Sequence, residues 1–197
     1  MPNFLAFLSY VCVANLSPGP NTILSMSNSG RLGLKKGIRF NLGVAVGAFF
    51  VLLICSFFSL TLYSVFPSVK LVMVWAGAGY ILWLAWRTLT TQPLAANKQV
   101  EVKGSLFVQG LILQFVNPNT ILYGLSVFTT FIIPYYNASF ILIVLSALLA
   151  IAAFIGTGCW ALFGSVFQKV IARHSKAINI GMAILLAYCA ASLVITG

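Results

Sequence analysis

Acidic residues are almost missing from this sequence: one Asp or Glu stands against 11 Lys or Arg, a formal charge of +10. Charge of either sign is scarce, at 6% of 197 residues, where a soluble domain carries about 25%. Hydrophobic residues make up 61% and Phe alone numbers 16, so the solvent for so much apolar surface must be lipid. A single carboxylate leaves no acid pair for general acid–base chemistry. The four cysteines, Cys12, Cys55, Cys159 and Cys189, fall in four separate apolar runs. They form no C-x-x-C pair and no Cys/His cluster with metal spacing, and read as small hydrophobes. No Gly-rich phosphate loop or nucleophile–base set occurs, so neither an enzyme nor a cofactor is expected. Basic excess invites a nucleic-acid reading in a soluble chain. Here it lies between apolar runs, and no nucleic-acid partner is expected.

Those apolar runs predict an all-α polytopic membrane protein with six transmembrane helices, at about 4–28, 41–66, 70–90, 105–133, 139–167 and 177–196. The first connection holds Arg31, Lys35, Lys36 and Arg39. The second holds Lys70, and the third Arg87, Lys98, Lys103 and the lone acid Glu101. The turn Pro134 to Ala138 is uncharged, and the last connection holds Lys169, Arg173, Lys176 and His174. Alternate connections thus carry ten basic residues against one on the other side. The positive-inside rule then makes connections one, three and five cytoplasmic, with both termini on the outer face. Met1-Pro2-Asn3 lacks the basic n-region of a signal peptide, so span one is expected to stay in the protein. Trp75, Tyr135 and Tyr136 sit near span ends as expected interfacial anchors.

Three spans per half make the second half enter the membrane from the opposite side. A single domain, 1–197, is therefore expected as two inverted three-helix repeats, 1–98 and 99–197. Ser17-Pro18-Gly19-Pro20-Asn21 interrupts the first span and Asn117-Pro118-Asn119 the fourth, with Pro18 and Pro118 100 residues apart. At an offset of 102, Gly79 matches Gly181, and Leu84-Ala85-Trp86 matches Leu186-Ala187-Tyr188. Paired Pro/Gly breaks are the best sequence pointer to a transporter's binding site. Proline lacks the amide donor, so Pro18 should free the carbonyl of Ala14, Pro20 that of Leu16 and Pro118 that of Gln114. Bare carbonyls beside helix-start amides suit an ammonium and a carboxylate together, the two charges of an amino acid. Expected substrate-binding residues are Asn15, Ser17, Pro18, Gly19, Pro20, Asn21, Gln114, Asn117, Pro118, Asn119 and Tyr123.

At these residues the chain resembles the LysE/RhtB amino-acid exporter family, on Ser17-Pro-Gly-Pro-Asn21 and Asn117-Pro118, over essentially its whole length. Trp75-Ala-Gly-Ala-Gly-Tyr-Ile-Leu-Trp-Leu-Ala-Trp86, Gln114-Phe-Val-Asn-Pro118 with Ile121-Leu-Tyr-Gly124, and Cys159-Trp-Ala161 look like its cysteine/O-acetylserine branch. The resemblance implies a secondary transporter exporting such small zwitterionic metabolites across a bacterial inner membrane. Many family members carry an acid after the second glycine of the span-two run and a lysine after the second Asn-Pro. This chain has Ala48 and Asn119 there, which points away from charged substrates. Gly43-x-x-x-Gly47 permits close helix packing, more often an internal contact than a dimer face. Gly77, Gly79, Gly156 and Gly158 are expected to act alike, and a homodimer stays open. Two rival readings are a channel-like facilitator and a membrane thiol-redox protein.

Overall fold

The computed structural model describes residues 4–17, 19–65, 75, 78, 79, 81–83, 85, 86, 89, 90 and 105–196. Every regular element among them is helical. They are α1 (Phe4–Leu16), α2 (Pro20–Leu32), α3 (Leu34–Val65), α4 (Leu106–Val116), α5 (Pro118–Val127), a π-helical turn (Phe128–Ile132) and α6 (Ser139–Thr196). Two helices are long and apolar enough to cross a membrane, Leu34–Thr61 and Ser139–Leu162. The pair Leu106–Val116 and Pro118–Ile132, bent by 61°, counts as a third if taken as one broken span. Most of the expected third span lies outside the described residues, as do Lys70 and the segment 91–104.

Polarity is distributed as lipid demands. Phe58, Ile54, Val116, Phe140 and Ile155 face outward, whereas Ser25, Asn41, Ser56, Ser59, Gln114 and Ser146 are wholly buried between helices. Polar side chains find partners only inside such a bundle. Tyr10, Leu52, Phe128, Ile132 and Leu142 fill the apolar core beside them.

The expected first and fourth interruptions are both real breaks, but two expected loops are not loops. Of 29–40, only Gly33 is outside a helix, since α2 runs to Leu32 and α3 starts at Leu34. Gly33 has φ +85°, a conformation that a glycine adopts without a Cβ clash, and its N–H donates to Ser29 O at 3.1 Å. The basic residues of this stretch are good helix formers. They lower the local hydropathy without ending the helix. The same holds for 168–176, which is helical within α6 because no proline or glycine interrupts it. Crossing hydrocarbon takes about 20 residues, so the 58 residues of α6 exceed one crossing.

Glycines set the closest helix contacts. A Cβ at Gly43 would fall on the carbonyl oxygen of Phe107, and one at Gly47 would lie 2.6 Å from that of Leu111. Gly110 returns the contact against the Phe40 carbonyl, so α3 and α4 meet backbone to backbone. The Gly43/Gly47 face is therefore internal and unavailable to a homodimer. Gly156 packs as expected, but a Cβ at Gly79 or Gly158 would meet nothing within 4 Å; Gly77 lies outside the described residues. Trp75 and Tyr135 are exposed like anchors, whereas Tyr136 packs against the core.

Candidate functional site

Proline starts both second segments. Pro20 opens α2 and Pro118 opens α5, each at a helix position that needs no amide donor. Ahead of α5, Asn117 accepts from Asn119 N at 3.0 Å through its own Oδ1, a side-chain cap. Ahead of α2, Gly19 has no side chain, and its N–H donates to Thr22 Oγ1 at 2.8 Å. Thr22 in turn lies 3.0 Å from Gly19 O and 3.3 Å from Ser17 O, stitching the break across one turn. Pro18 lies outside the described residues.

The two breaks meet. Phe7 stacks edge-on against Phe131, Asn15 Nδ2 reaches Tyr123 Oη at 3.4 Å, and a Cβ at Gly19 would lie 3.8 Å from Asn119 Nδ2. Along this series one partner advances by eight and then four residues while the other retreats equally. The broken helices therefore cross antiparallel, in a register that sets Pro20 opposite Pro118. Just past the crossing, Asn21 and Gln114 form a reciprocal amide pair, Nδ2 to Oε1 and Nε2 to Oδ1, both at 2.9 Å. Gln114 also donates to Gly110 O at 3.0 Å and accepts from Thr120 Oγ1 at 3.0 Å. It is wholly buried, and every polar atom of its side chain is used.

α6 closes the first break from the side. Trp160 Nε1 donates at 3.1 Å to Leu16 O, the carbonyl that Pro20 leaves without a helical donor. One turn earlier, a Cβ at Gly156 would come 2.6 Å from Asn15 O. Between them, Thr157 O accepts from Ser25 Oγ at 2.8 Å. The first break is thus held by a helix distant in sequence.

Of the expected site residues, Asn15, Gly19, Asn21, Gln114, Asn119 and Tyr123 come together at the crossing, with Ser17 and Asn117 shaping its edges. Pro20 and Pro118 are exposed and act through the backbone. Sequence reasoning passed over Thr22, Thr120 and Trp160. A signal for the threonines was present: Pro20-Asn21-Thr22-Ile23-Leu24 recurs unchanged as Pro118-Asn119-Thr120-Ile121-Leu122, 98 residues on. Cys12, Cys55 and Cys159 are free thiols, and no group of His, Cys, Asp or Glu among the described residues could hold a metal ion.

The chain is 39% identical over 190 residues to the cysteine/O-acetylserine efflux protein of Klebsiella pneumoniae, covering 96% of each chain. It is 39% identical over 185 residues to the protein of that name in Salmonella paratyphi A, and 36% to that in Escherichia coli K12, covering 94% of each chain. No solved structure matches. The LysE type translocator family matches residues 12–197, and the chain belongs to that family.

Proposed function

We propose that this chain is a secondary transporter exporting small neutral amino acids, cysteine and O-acetylserine foremost, from the cytoplasm across a bacterial inner membrane. Membership of a translocator family makes it a transporter and not an enzyme, and the substrate pair follows the names of its relatives. The observation that carries the site is the antiparallel crossing of the two Pro-Asn-Thr-Ile-Leu starts, joined by the Asn21–Gln114 pair. The repeat and its register support two inverted halves, 1–98 and 99–197, within one six-span domain. The basic first, third and fifth connections then face the cytoplasm, both termini face outward, and lipid surrounds the bundle.

The chemistry follows from neutral groups. First-turn amides of α2 have no carbonyl four residues back within their helix and favour a carboxylate, whereas those of α5 are taken up by Asn117. The side-chain carbonyls of Asn21 and Gln114 and the Leu16 carbonyl suit an ammonium. A ligand entering between Asn21 and Gln114 exchanges their mutual hydrogen bonds for its own, so no buried group is left unpaired. None of these residues carries a charge, so a zwitterion fits better than lysine or glutamate. Export from cells overproducing the chain, with amino acids quantified in the medium, tests the reading: cysteine and O-acetylserine should accumulate far above lysine. Equal lysine efflux would sink it. Counterflow in vesicles separates a carrier, which shows trans-stimulation, from an open channel, which does not.

A further inference from the structure

α2 and α3 form an antiparallel hairpin about Gly33, and its seam is polar. Nearest the hinge, Ser29 lies against Gly37, where an added Cβ would fall on Ser29 Oγ. One turn deeper, Ser25 Oγ lies 2.6 Å from Asn41 Oδ1. Thr22, Ser25, Asn28 and Ser29 recur at three- and four-residue spacing, and all four are buried. They run from the crossing of the broken helices to the basic end of the hairpin, where Lys35, Lys36 and Arg39 are exposed.

Two side chains in this seam are not satisfied. Asn41 Nδ2 is buried without a hydrogen-bond partner, in a residue with 0% exposure, and so is Ser29 Oγ, in a residue with 8%. Buried unpaired donors are costly, and in native proteins they call for an explanation. Both groups can donate, both lie between the same two helices, and they sit about one turn apart. Lys35, Lys36 and Arg39 are exposed on this same stretch of α3 and make its surroundings basic. The ligand chemistry that fits an amide N–H and a hydroxyl at a basic end of the molecule is an anionic oxygen pair.

We infer that the Ser29–Asn41 seam is a second substrate station, which takes the carboxylate of the amino acid on the cytoplasmic side before it reaches the crossing. This inference rests on the exporter reading, with 29–40 facing the cytoplasm. The station and the crossing are about two helical turns apart along α2, so the substrate passes from one to the other.

Sidedness tests it. Half-saturation by radiolabelled cysteine is measured from the cytoplasmic face in inside-out vesicles, and from the outer face in right-side-out vesicles. Asn41→Ala and Ser29→Ala should each raise the cytoplasmic value about tenfold, the loss of one hydrogen bond to a charged group. The outer value should stay as in the wild type. Cysteine methyl ester, which lacks the carboxylate, should compete equally well in wild type and variants. Acetate should compete with cysteine at the cytoplasmic face of the wild type only. A rise of equal size at both faces overturns the station, because the residues then serve the crossing or the bundle. Unchanged values at both faces overturn it as well. Ser29→Ala removes one hydroxyl without adding volume, and keeps the test decisive if Asn41→Ala inserts poorly. Counterflow by the wild type is read in the same vesicles, so failure of the exporter reading shows separately.

Discussion

The helices that follow the two breaks begin with the same five residues, and the breaks are held by different means. The second is capped locally: Asn117 supplies its own side chain to Asn119 N, and the chain bends by 61° there. The first has glycine in that place. Its capping passes to Thr22, and its freed carbonyl is met by Trp160 from α6, with Gly156 pressed onto Asn15. A bend closed by its own cap is fixed by local geometry, whereas one closed by another helix changes when that helix shifts. The second break is the arm of the crossing fixed by its own cap, and the first is the arm that depends on α6.

The largest expected effect falls on the seat of the fixed arm. Gly43→Ala would drive a Cβ into the Phe107 carbonyl, a backbone group that cannot rotate away. Overpacking of this kind costs about 1–3 kcal/mol or more. We expect the variant to lose thermal stability in detergent and most of its inserted protein. Normal insertion and melting would mean that α3 and α4 do not meet there. Gln114→Ala comes next, because Gln114 binds both arms. It strands the Asn21 amide and the Thr120 hydroxyl, and should cut efflux per inserted molecule at least tenfold while insertion stays normal. Near-normal efflux would remove the Asn21–Gln114 pair from the site.

A middle-sized pair of variants separates the arms directly. Asn117→Ala removes a side-chain cap, worth about 0.5–2 kcal/mol, and should lower the melting temperature by a few degrees. Trp160→Phe keeps an aromatic ring but loses the indole donor to Leu16 O. It should leave melting nearly unchanged and alter trans-stimulation, because the first arm loses its tie to α6. If the two variants behave alike in both measurements, the contrast between the arms is wrong.

Much of this was legible in the residues. Composition points to lipid, the long apolar runs point to helices, and Pro20 and Pro118 mark the breaks because a proline amide cannot donate anywhere. Asn21 and Gln114 stood out as polar groups flanking those breaks. Helix ends were less legible, since hydropathy reports where the chain meets water and not where hydrogen bonding stops. Leu34-Lys-Lys-Gly-Ile-Arg therefore looked like a loop and is the first turn and a half of α3. Trp160 stood in the Cys159-Trp-Ala161 stretch, but its contact was illegible for another reason: its partner is 144 residues away in sequence. An indole near an apolar run reads as packing until the carbonyl that it serves is placed.

The smallest expected effect concerns the contact that spans the arms on the far side of the crossing. Asn15 Nδ2 reaches Tyr123 Oη at 3.4 Å and also donates to Val11 O at 2.8 Å. The longer bond is near the limit for a useful interaction, and a neutral hydrogen bond adds only about 0.5–1.5 kcal/mol net at good geometry. The Tyr123 ring meanwhile packs on Tyr10 with centroids 5.6 Å apart, a contact that phenylalanine preserves. Tyr123→Phe should therefore change export by no more than about twofold, and Asn15 would keep its bond to Val11. A tenfold loss, with normal insertion, would show that the hydroxyl itself meets the substrate. The ligand would then sit between Asn15 and Tyr123, on the aromatic side of the crossing, and the Asn21–Gln114 pair would be a structural tie between the arms.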